Sequence, residues 1–338
     1  MLYVGLDISS ARVALCVLDR DGATVHQTVV SSEPGAIAEA LAPHREKIET
    51  VGLEAGPTSA WLARSLREHG LPTIVIDASH ASAALRTGFR NKTDRNDARG
   101  IADLMRVNKY RPVWVKSPKA QRDRSLLAVR EQLRRQSLDL RNAAWSILQA
   151  EGLRPPKLAR TAFDACLAEA LNDPGLAPAL EPLVRLIETI DQELAQIDRA
   201  IASRAKADET CRLLMTVPGV GPLVALTYVS GMDDPSRFAK SRDVGVHFGL
   251  TPRRYQSGDT DWSGGISRAG DAGVRRALYQ AANVLIHHSR GWCALKSWAA
   301  RLAKRRGLGK AKVALARKLA VVLHRMWRSG EPYRHAAA

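Results

Sequence analysis

Leu2-Tyr3-Val4-Gly5-Leu6-Asp7 is a short apolar run that stops at an acid. Arg12 to Leu18 forms a second strand-like run. The turn Asp19-Arg20-Asp21-Gly22 follows, and then Thr24 to Val30. Three strands joined by short turns predict an antiparallel meander. Pro34 opens a helix that runs to about Leu41. Lys47 to Leu53 is the next strand and delivers Glu54 at its end. Pro57 to His69 reads as a helix closed by Gly70, and Thr73 to Ile76 as another strand.

Three antiparallel strands followed by alternating helix and strand is the element order of an RNase H-like α/β fold. In that topology the first and fourth strands lie side by side, which makes Asp7 and Glu54 neighbours, and the last helix crosses over them. That helix is expected to begin in Lys92-Thr93-Asp94-Arg95-Asn96-Asp97-Ala98. Asp94 and Asp97, three apart, share one of its faces. Four carboxylates in one pocket repel each other unless cations offset the charge. Hard divalent ions with oxygen ligands suit that role, Mg²⁺ first. Two such ions about 4 Å apart clamp a phosphodiester. A plainer account exists for each acid alone: strand-end acids are commonly solvated, Asp94 could be a helix cap, and Asp97 a favourable first-turn charge.

Further along, 119–150 is helical and charged, with Leu126, Leu133, Leu140 and Ile147 recurring every seven residues. Gly152 to Pro156 breaks it, and 157–180 is ambiguous apart from the turn Asp173-Pro174-Gly175. Leu183, Ile187, Ile190, Leu194, Ile197 and Ile201 then form an apolar seam. The pair reads as a helical hairpin or coiled-coil stalk, with two ordinary core helices as the alternative. Helices are expected over Cys211–Thr216, Leu223–Val229, Gly273 to His288 and Lys310 to Arg328, and a loop over 250–271. The expected division is an RNase H-like metal-binding domain over 1–118, a helical stalk over 119–205 and a mainly α-helical basic domain over 206–338.

Charge supplies the first functional signal. The chain of 338 residues carries 51 Lys plus Arg against 34 Asp plus Glu. Residues 1–110 hold 13 basic and 13 acidic side chains, 111–236 hold 17 and 16, and 237–338 hold 21 and 5. A basic excess confined to one folded segment points to a polyanion partner, nucleic acid ahead of membrane lipid. No apolar run approaches the ~20 residues of a membrane helix, and the first residues lack the pattern of a signal peptide. Cys16, Cys166, Cys211 and Cys293 are scattered, which argues against a zinc knuckle or disulfide framework and fits a reducing, cytoplasmic setting.

Three blocks now combine: Gly5-Leu6-Asp7, Leu53-Glu54-Ala55-Gly56-Pro57-Thr58 and Lys92 to Ala98. They resemble the DEDD tetrad of transposases of the insertion sequence 110 family, related to the Piv-type DNA invertases. In the C-terminal half, Pro218-Gly219-Val220-Gly221, Phe248-Gly249-Leu250-Thr251-Pro252-Arg253 with Ser257-Gly258, Gly264 to Asp271 and Arg275-Arg276-Ala277-Leu278 resemble the family's second domain in order and spacing. The resemblance implies a RuvC-like domain, a coiled-coil stalk and a small helical domain bearing a nucleophilic serine. It implies that Asp7, Glu54, Asp94 and Asp97 hold Mg²⁺ (two ions, with Mn²⁺ as a substitute) and that Ser257 attacks DNA to form a transient phosphoserine link. It further implies donor and target DNA, a structured non-coding RNA that pairs with both, and dimers that assemble into a tetramer. Two departures stand out. Gln256 precedes Ser257 where the family often has a second serine, and Arg268 stands where lysine is usual. Ser257 is then the matching nucleophile, with Ser263 behind it.

A serine hydroxyl needs activation at neutral pH, and no His–Asp pair lies near Ser257 in sequence. A metal ion held by the tetrad would supply it if Ser257 is brought there on nucleic-acid binding. Gly219 and Gly221 are candidates to present backbone N–H groups to phosphate. Arg253, Arg254, Arg268, Arg275 and Arg276 flank the serine and are candidates for phosphate contacts. Lys304-Arg305-Arg306 and Lys310 to Lys318 could follow backbone further out. His287 and His288 read as packing residues rather than ligands, and Trp292, Trp298 and Trp327 as core residues rather than base-stacking ones. Two rivals remain: a RuvC-like nuclease of the junction-resolvase type using water, and a non-catalytic nucleic-acid binder.

Overall fold

The computed structural model describes residues 1–78, 93–154, 160–258, 260–289 and 291–334. The chain divides into two compact units, Met1–Lys116 and Ser117–Ala338.

The first unit is built on a sheet of β1 (Leu2–Ile8), β2 (Arg12–Leu18), β3 (Thr24–Ser31), β4 (Ile48–Glu54) and β5 (Thr73–Ile76), in the order β3-β2-β1-β4-β5. β1–β2 and β2–β3 are antiparallel, while β1–β4 and β4–β5 are parallel. Side chains alternate across a strand, so the two faces of the sheet have separate cores. Val4, Leu6, Val51 and Leu53 pack with Ile37 and Leu41 of α1 (Pro34–Leu41) and Leu62 and Leu66 of α2 (Ser59–Glu68). On the other face lies α3 (Asp94–Arg106), whose Ala98 and Ala102 pack on Ala14, Cys16 and Leu18. Its Ile101, Leu104 and Met105 pack with Ile76 and Tyr3. α3 starts where the sequence says it should: the Thr93 side chain accepts from the Asn96 amide and caps the first turn.

The second unit is mainly helical. Two long helices, α4 (Pro118–Ala150) and α6 (Ala177–Ala207), flank the shorter α5 (Arg160–Ala170) in sequence. Ion pairs run Lys119–Asp208, Arg204–Asp123, Arg130–Asp198 and Arg141–Asp191. One number rises as the other falls, so α4 and α6 pair antiparallel. The expected apolar seam is the contact stripe: Ile187 and Ile201 are buried, and Leu183, Ile190, Leu194 and Ile197 are half-buried. The stripe on α4 is more polar than its leucines announce, because Asp123 and Ser137 are buried beside Ala144 and Leu148.

Beyond the pair come α7 (Glu209–Leu214), α8 (Pro222–Met232), α9 (Asp243–His247), α10 (Ala272–His287), α11 (Ala294–Arg306) and α12 (Leu308–Ser329). Leu226, Tyr228, Leu278, Leu285, Leu319 and Leu323 form the centre of their shared core. The Tyr228 hydroxyl donates to the Ala320 carbonyl at 2.8 Å, which satisfies the one polar atom this ring buries. α11 fills a stretch to which the sequence reading assigns no element.

The expected loop over 250–271 is corrected. β6 (Pro252–Ser257) and β7 (Thr260–Ile266) pair antiparallel as a separate two-stranded ribbon. Every residue of β6 is exposed. The ribbon is anchored at its base by Ile266, which packs on the helical core.

Candidate active site

The sheet places the first two acids by register. Gly5 pairs with Gly52 and Leu6 with Leu53 across β1 and β4, so Asp7 and Glu54 follow side by side at the ends of the strands. A methyl added at Gly5 would sit 2.0 Å from the Ala98 carbonyl oxygen, and one added at Gly52 would sit 2.5 Å from the Met105 sulfur. Both glycines therefore face α3. By the two-residue alternation of a strand, Asp7 and Glu54 face the same side. Each is half-buried.

The helix brings the other two. Gln27 Nε2 donates to the Arg95 carbonyl at 3.1 Å, Arg99 Nη1 to Thr24 Oγ1 at 3.1 Å, and Arg106 Nη1 to the Arg20 carbonyl at 3.3 Å. As the helix number rises, the partner retreats toward the β2–β3 turn. α3 thus runs against β1, with its first turn at the end where Asp7 and Glu54 emerge. Asp94 and Asp97 lie in that turn, exposed and half-buried respectively. Among the described residues, no three His, Cys, Asp or Glu side chains are drawn together into a closed ligand set. The four acids share one end and one face of the sheet, and all their donors are hard oxygens of the kind Mg²⁺ takes.

In the second unit, Ser257 is the last residue of β6 and pairs with Thr260, so it stands at the tip of the ribbon. Gly258 opens the turn at φ +52°, the left-handed region that short hairpin turns require. Among the described residues no side chain hydrogen-bonds the Ser257 hydroxyl. Ser263 pairs with Arg254 and lies on the opposite ribbon face. At the ribbon's base two glycines let backbones touch. A methyl on Gly249 (φ +64°) would meet the Ala269 oxygen at 2.3 Å, and one on Gly270 (φ +66°) would meet the His247 oxygen at 2.1 Å.

The candidate phosphate-binding residues separate by their partners. Arg275 Nη1 donates to the carbonyls of Ala269 (2.5 Å), Gly270 (3.0 Å) and Phe248 (3.3 Å), which makes it the clamp of that base. Arg254 is bidentate to Asp261 at 2.9 and 2.7 Å. Arg276 reaches Glu131 at 2.7 Å. Arg253 and Arg268 are exposed, and Arg253 touches the Ser267 carbonyl at 3.3 Å. Arg268 holds φ +57°. Gly219 (φ +87°) is a packing glycine: a methyl there would come 2.6 Å from the Ala281 oxygen of α10, whereas Gly221 has open space around it.

A cleft of about 380 Å³ in the same unit is lined by Arg124, Glu131, Arg135, Asp271 and Arg276. Its charges pair among themselves, Arg124 with Asp271 and Glu131 with Arg135 and Arg276. Burial opposes ionisation of Asp271, but Arg124 and the amides of Val274 and Gly273 outweigh it and hold the carboxyl below its usual range. The cleft is a structural joint between helices. His287 and His288 prove exposed, correcting their expected packing role, and so does Trp292. Trp298 and Trp327 pack on the core as expected. Tyr255 and Trp262 are two large aromatics exposed on the ribbon that composition alone does not single out. Their signal was spacing on either side of Ser257-Gly258, legible only once the stretch is read as a hairpin.

Comparison with known proteins now fits this geometry. A family model of the DEDD type, described as Transposase, matches residues 4–151, the sheet with its acids. A second, described as Transposase IS116/IS110/IS902 family, matches residues 211–297, the basic helices with the ribbon. The protein is a DNA transposase. It belongs to the IS116/IS110/IS902 family. The transposase for insertion sequence element IS1111A of Coxiella burnetii is 30% identical over 99% of this chain and 92% of its own length. The transposase for insertion sequence element IS1328 of Yersinia enterocolitica is 27% identical over 69% of this chain and 70% of its own. The pilin gene-inverting protein of Moraxella lacunata is 23% identical over 98% of this chain and 97% of its own. Transposase domains of the DEDD class are typically metal-dependent. No helix among the described residues is long and apolar enough to cross a membrane.

Proposed function

We propose that this transposase cuts and rejoins DNA through Ser257, with Asp7, Glu54, Asp94 and Asp97 of an RNase H-like (RuvC-like) unit holding Mg²⁺ for the same phosphodiester. The observation that carries the reading is the placement of the acids at one end of the sheet. Asp7 and Glu54 emerge side by side beneath α3, at the end where its first turn bears Asp94 and Asp97.

The chemistry balances without a further reactant. Ser257 Oγ forms a bond to phosphorus, a P–O bond to one deoxyribose oxygen breaks, and that oxygen leaves with a proton as a hydroxyl. The serine's own proton is lost to the surroundings. Reversal by a hydroxyl from another DNA end rejoins the strand. Asp7, Glu54, Asp94 and Asp97 would hold Mg²⁺, which when bound would offset their charge and lower the pKa of a hydroxyl beside the phosphate. Arg253 and Arg268 bind phosphate, while Arg275 orients the base of the ribbon. A structured RNA that pairs with donor and target DNA, and assembly of dimers into a tetramer through the α4–α6 pair, complete the proposal.

The test is a trap for the covalent intermediate. Protein, Mg²⁺, element-junction DNA and RNA from the flanking element are mixed, denatured and resolved on a gel, with Ser257→Ala and Asp7→Ala alongside. A labelled adduct absent from both variants is the expected result. Cleavage without an adduct, lost in Asp7→Ala and kept in Ser257→Ala, would make the protein a nuclease that uses water.

A further inference from the structure

We infer that Tyr255 and Trp262 form a stacking platform for unpaired nucleobases of the DNA strand at Ser257. The inference rests on the reading of Ser257 as the residue that meets DNA, and adds what holds the strand there.

Register sets the platform. Tyr255 pairs with Trp262 and Ser257 with Thr260. Residues directly opposite share a ribbon face, as do residues two apart on one strand. Ser257, Tyr255 and Trp262 therefore stand on one face, the serine about 7 Å along the strand from the tyrosine. The other face carries Arg254 bidentate to Asp261, whose charges satisfy each other.

Exposure sets what the face can do. Tyr255 is 62% exposed and Trp262 60%. At Tyr255 and Trp262 the ribbon buries neither face, so nothing in the fold requires aromatic rings there. Two large aromatics left in water side by side on one face form a contiguous apolar patch, the kind of surface that marks an interaction site. Gly264 beneath Trp262 gives the ring its pose. A methyl on Gly264 would meet the indole Cη2 at 2.5 Å, so the bare glycine lets the ring lie along its own strand. The ring's outer face is left to solvent. Base stacking on such faces is tolerant of sequence, because every base has a π-face. Exposed Arg253 on β6 and Arg268 just past the end of β7, in a segment with 21 basic against 5 acidic residues, supply the charge for a phosphate backbone.

The experiment is equilibrium binding of full-length protein to a labelled 20-nucleotide oligothymidylate and, separately, to a 20-base-pair duplex, at one fixed salt concentration. Tyr255→Ala and Trp262→Ala are each expected to weaken oligothymidylate binding by about 5- to 100-fold, leaving the duplex affinity unchanged. Trp262→Phe keeps a ring and is expected to stay near the parent. Both side chains are exposed, so melting temperatures should match. Parental oligothymidylate binding by the alanine variants overturns the inference. An equal loss on single strand and duplex also overturns it, and so does tighter binding of oligouridylate, which would assign the platform to RNA. If the alanine variants lose only the single strand while Ser257→Ala still forms the covalent adduct, the platform stands and the serine assignment fails.

Discussion

Gly5 and Gly52 are register partners on parallel strands, and both lie directly beneath α3. Their missing side chains let the helix come down onto the sheet. That closeness puts Asp94 and Asp97 over the strand ends that carry Asp7 and Glu54. The two glycines do not tolerate change equally. At Gly5 the obstacle is backbone, the Ala98 carbonyl oxygen and the Ala102 nitrogen, while at Gly52 it is the flexible Met105 side chain. Gly5→Ala is therefore expected to cost ~3 kcal/mol or more, and Gly52→Ala about 1 kcal/mol, the low end of overpacking penalties. Denaturant melts of the two variants check this. Equal costs would mean that α3 is free to lift off the sheet.

The acids have a stability signature that does not depend on catalysis. A ligand that binds only the folded state raises its stability, by about 2.7 kcal/mol at one hundred times its dissociation constant. Mg²⁺ or Mn²⁺ titrated into the parent is expected to raise the melting temperature. In Asp7→Asn and Glu54→Gln the rise should be lost, and in Asp94→Asn and Asp97→Asn reduced. Ca²⁺ is expected to stabilise as well, since it too takes oxygen ligands. A parental shift that survives in Asp7→Asn would move the metal away from these four residues.

Glu131 on α4 gives a pH dependence with a definite sign. Hydrogen bonds from Arg134, with Arg276 and Arg135 beside them, lower its carboxyl from 4.5 to about 2. A carboxylate depressed in the folded state contributes stability that is complete above the unfolded value. That stability is lost as pH falls through the folded value. Glu131→Gln is expected to cost about 1–2 kcal/mol at pH 7, after allowance for its partial exposure to solvent. The gap between variant and parent should narrow between pH 4.5 and 2, with no change between pH 6 and 8. Chemical denaturation across that range reads the difference directly.

In the first unit, the parts of the fold that bury something were legible in the sequence. β1, β2 and β4 are apolar runs bounded by turns because they are covered on both faces, and α3 announces itself by the paired aspartates, although its cap is Thr93 and not Asp94. The ribbon was not legible, because a strand shows in sequence through its buried face and β6 has none. Its Gly, Ser, Asp and Arg content reads as loop. α4 misleads in the other direction. A heptad of leucines is visible, but the residues most deeply buried along the helix include Asp123 and Ser137, held by Arg204 and Asp191 on the partner helix. The arginines near Ser257 look alike as a cluster, and only their partners separate Arg275, a clamp on carbonyls, from Arg253 and Arg268.

Arg268 combines a backbone that wants glycine with a side chain that suits DNA. At φ +57° it sits in the left-handed region, which costs a residue with a Cβ about 1 kcal/mol. Its amide donates to the Gly249 carbonyl at 3.1 Å, and that bond helps hold the ribbon's base in place. Replacing it should therefore move stability and binding in opposite directions. Arg268→Gly relieves the backbone and is expected to raise stability by about 0.5–1 kcal/mol. The same change removes a side chain proposed to contact phosphate. Binding to any duplex should weaken irrespective of sequence, and the slope of log affinity against log salt should fall by about one. Arg268→Gln keeps the strained backbone and is expected to lose the binding without gaining the stability. Arg254→Gln serves as the comparison, because Arg254 is already paired with Asp261. Its salt slope is expected to stay near the parent's. Thermal melts and salt-dependent binding of the three variants measure both quantities. An Arg268→Gly protein with a parental salt slope would remove Arg268 from the DNA-binding surface.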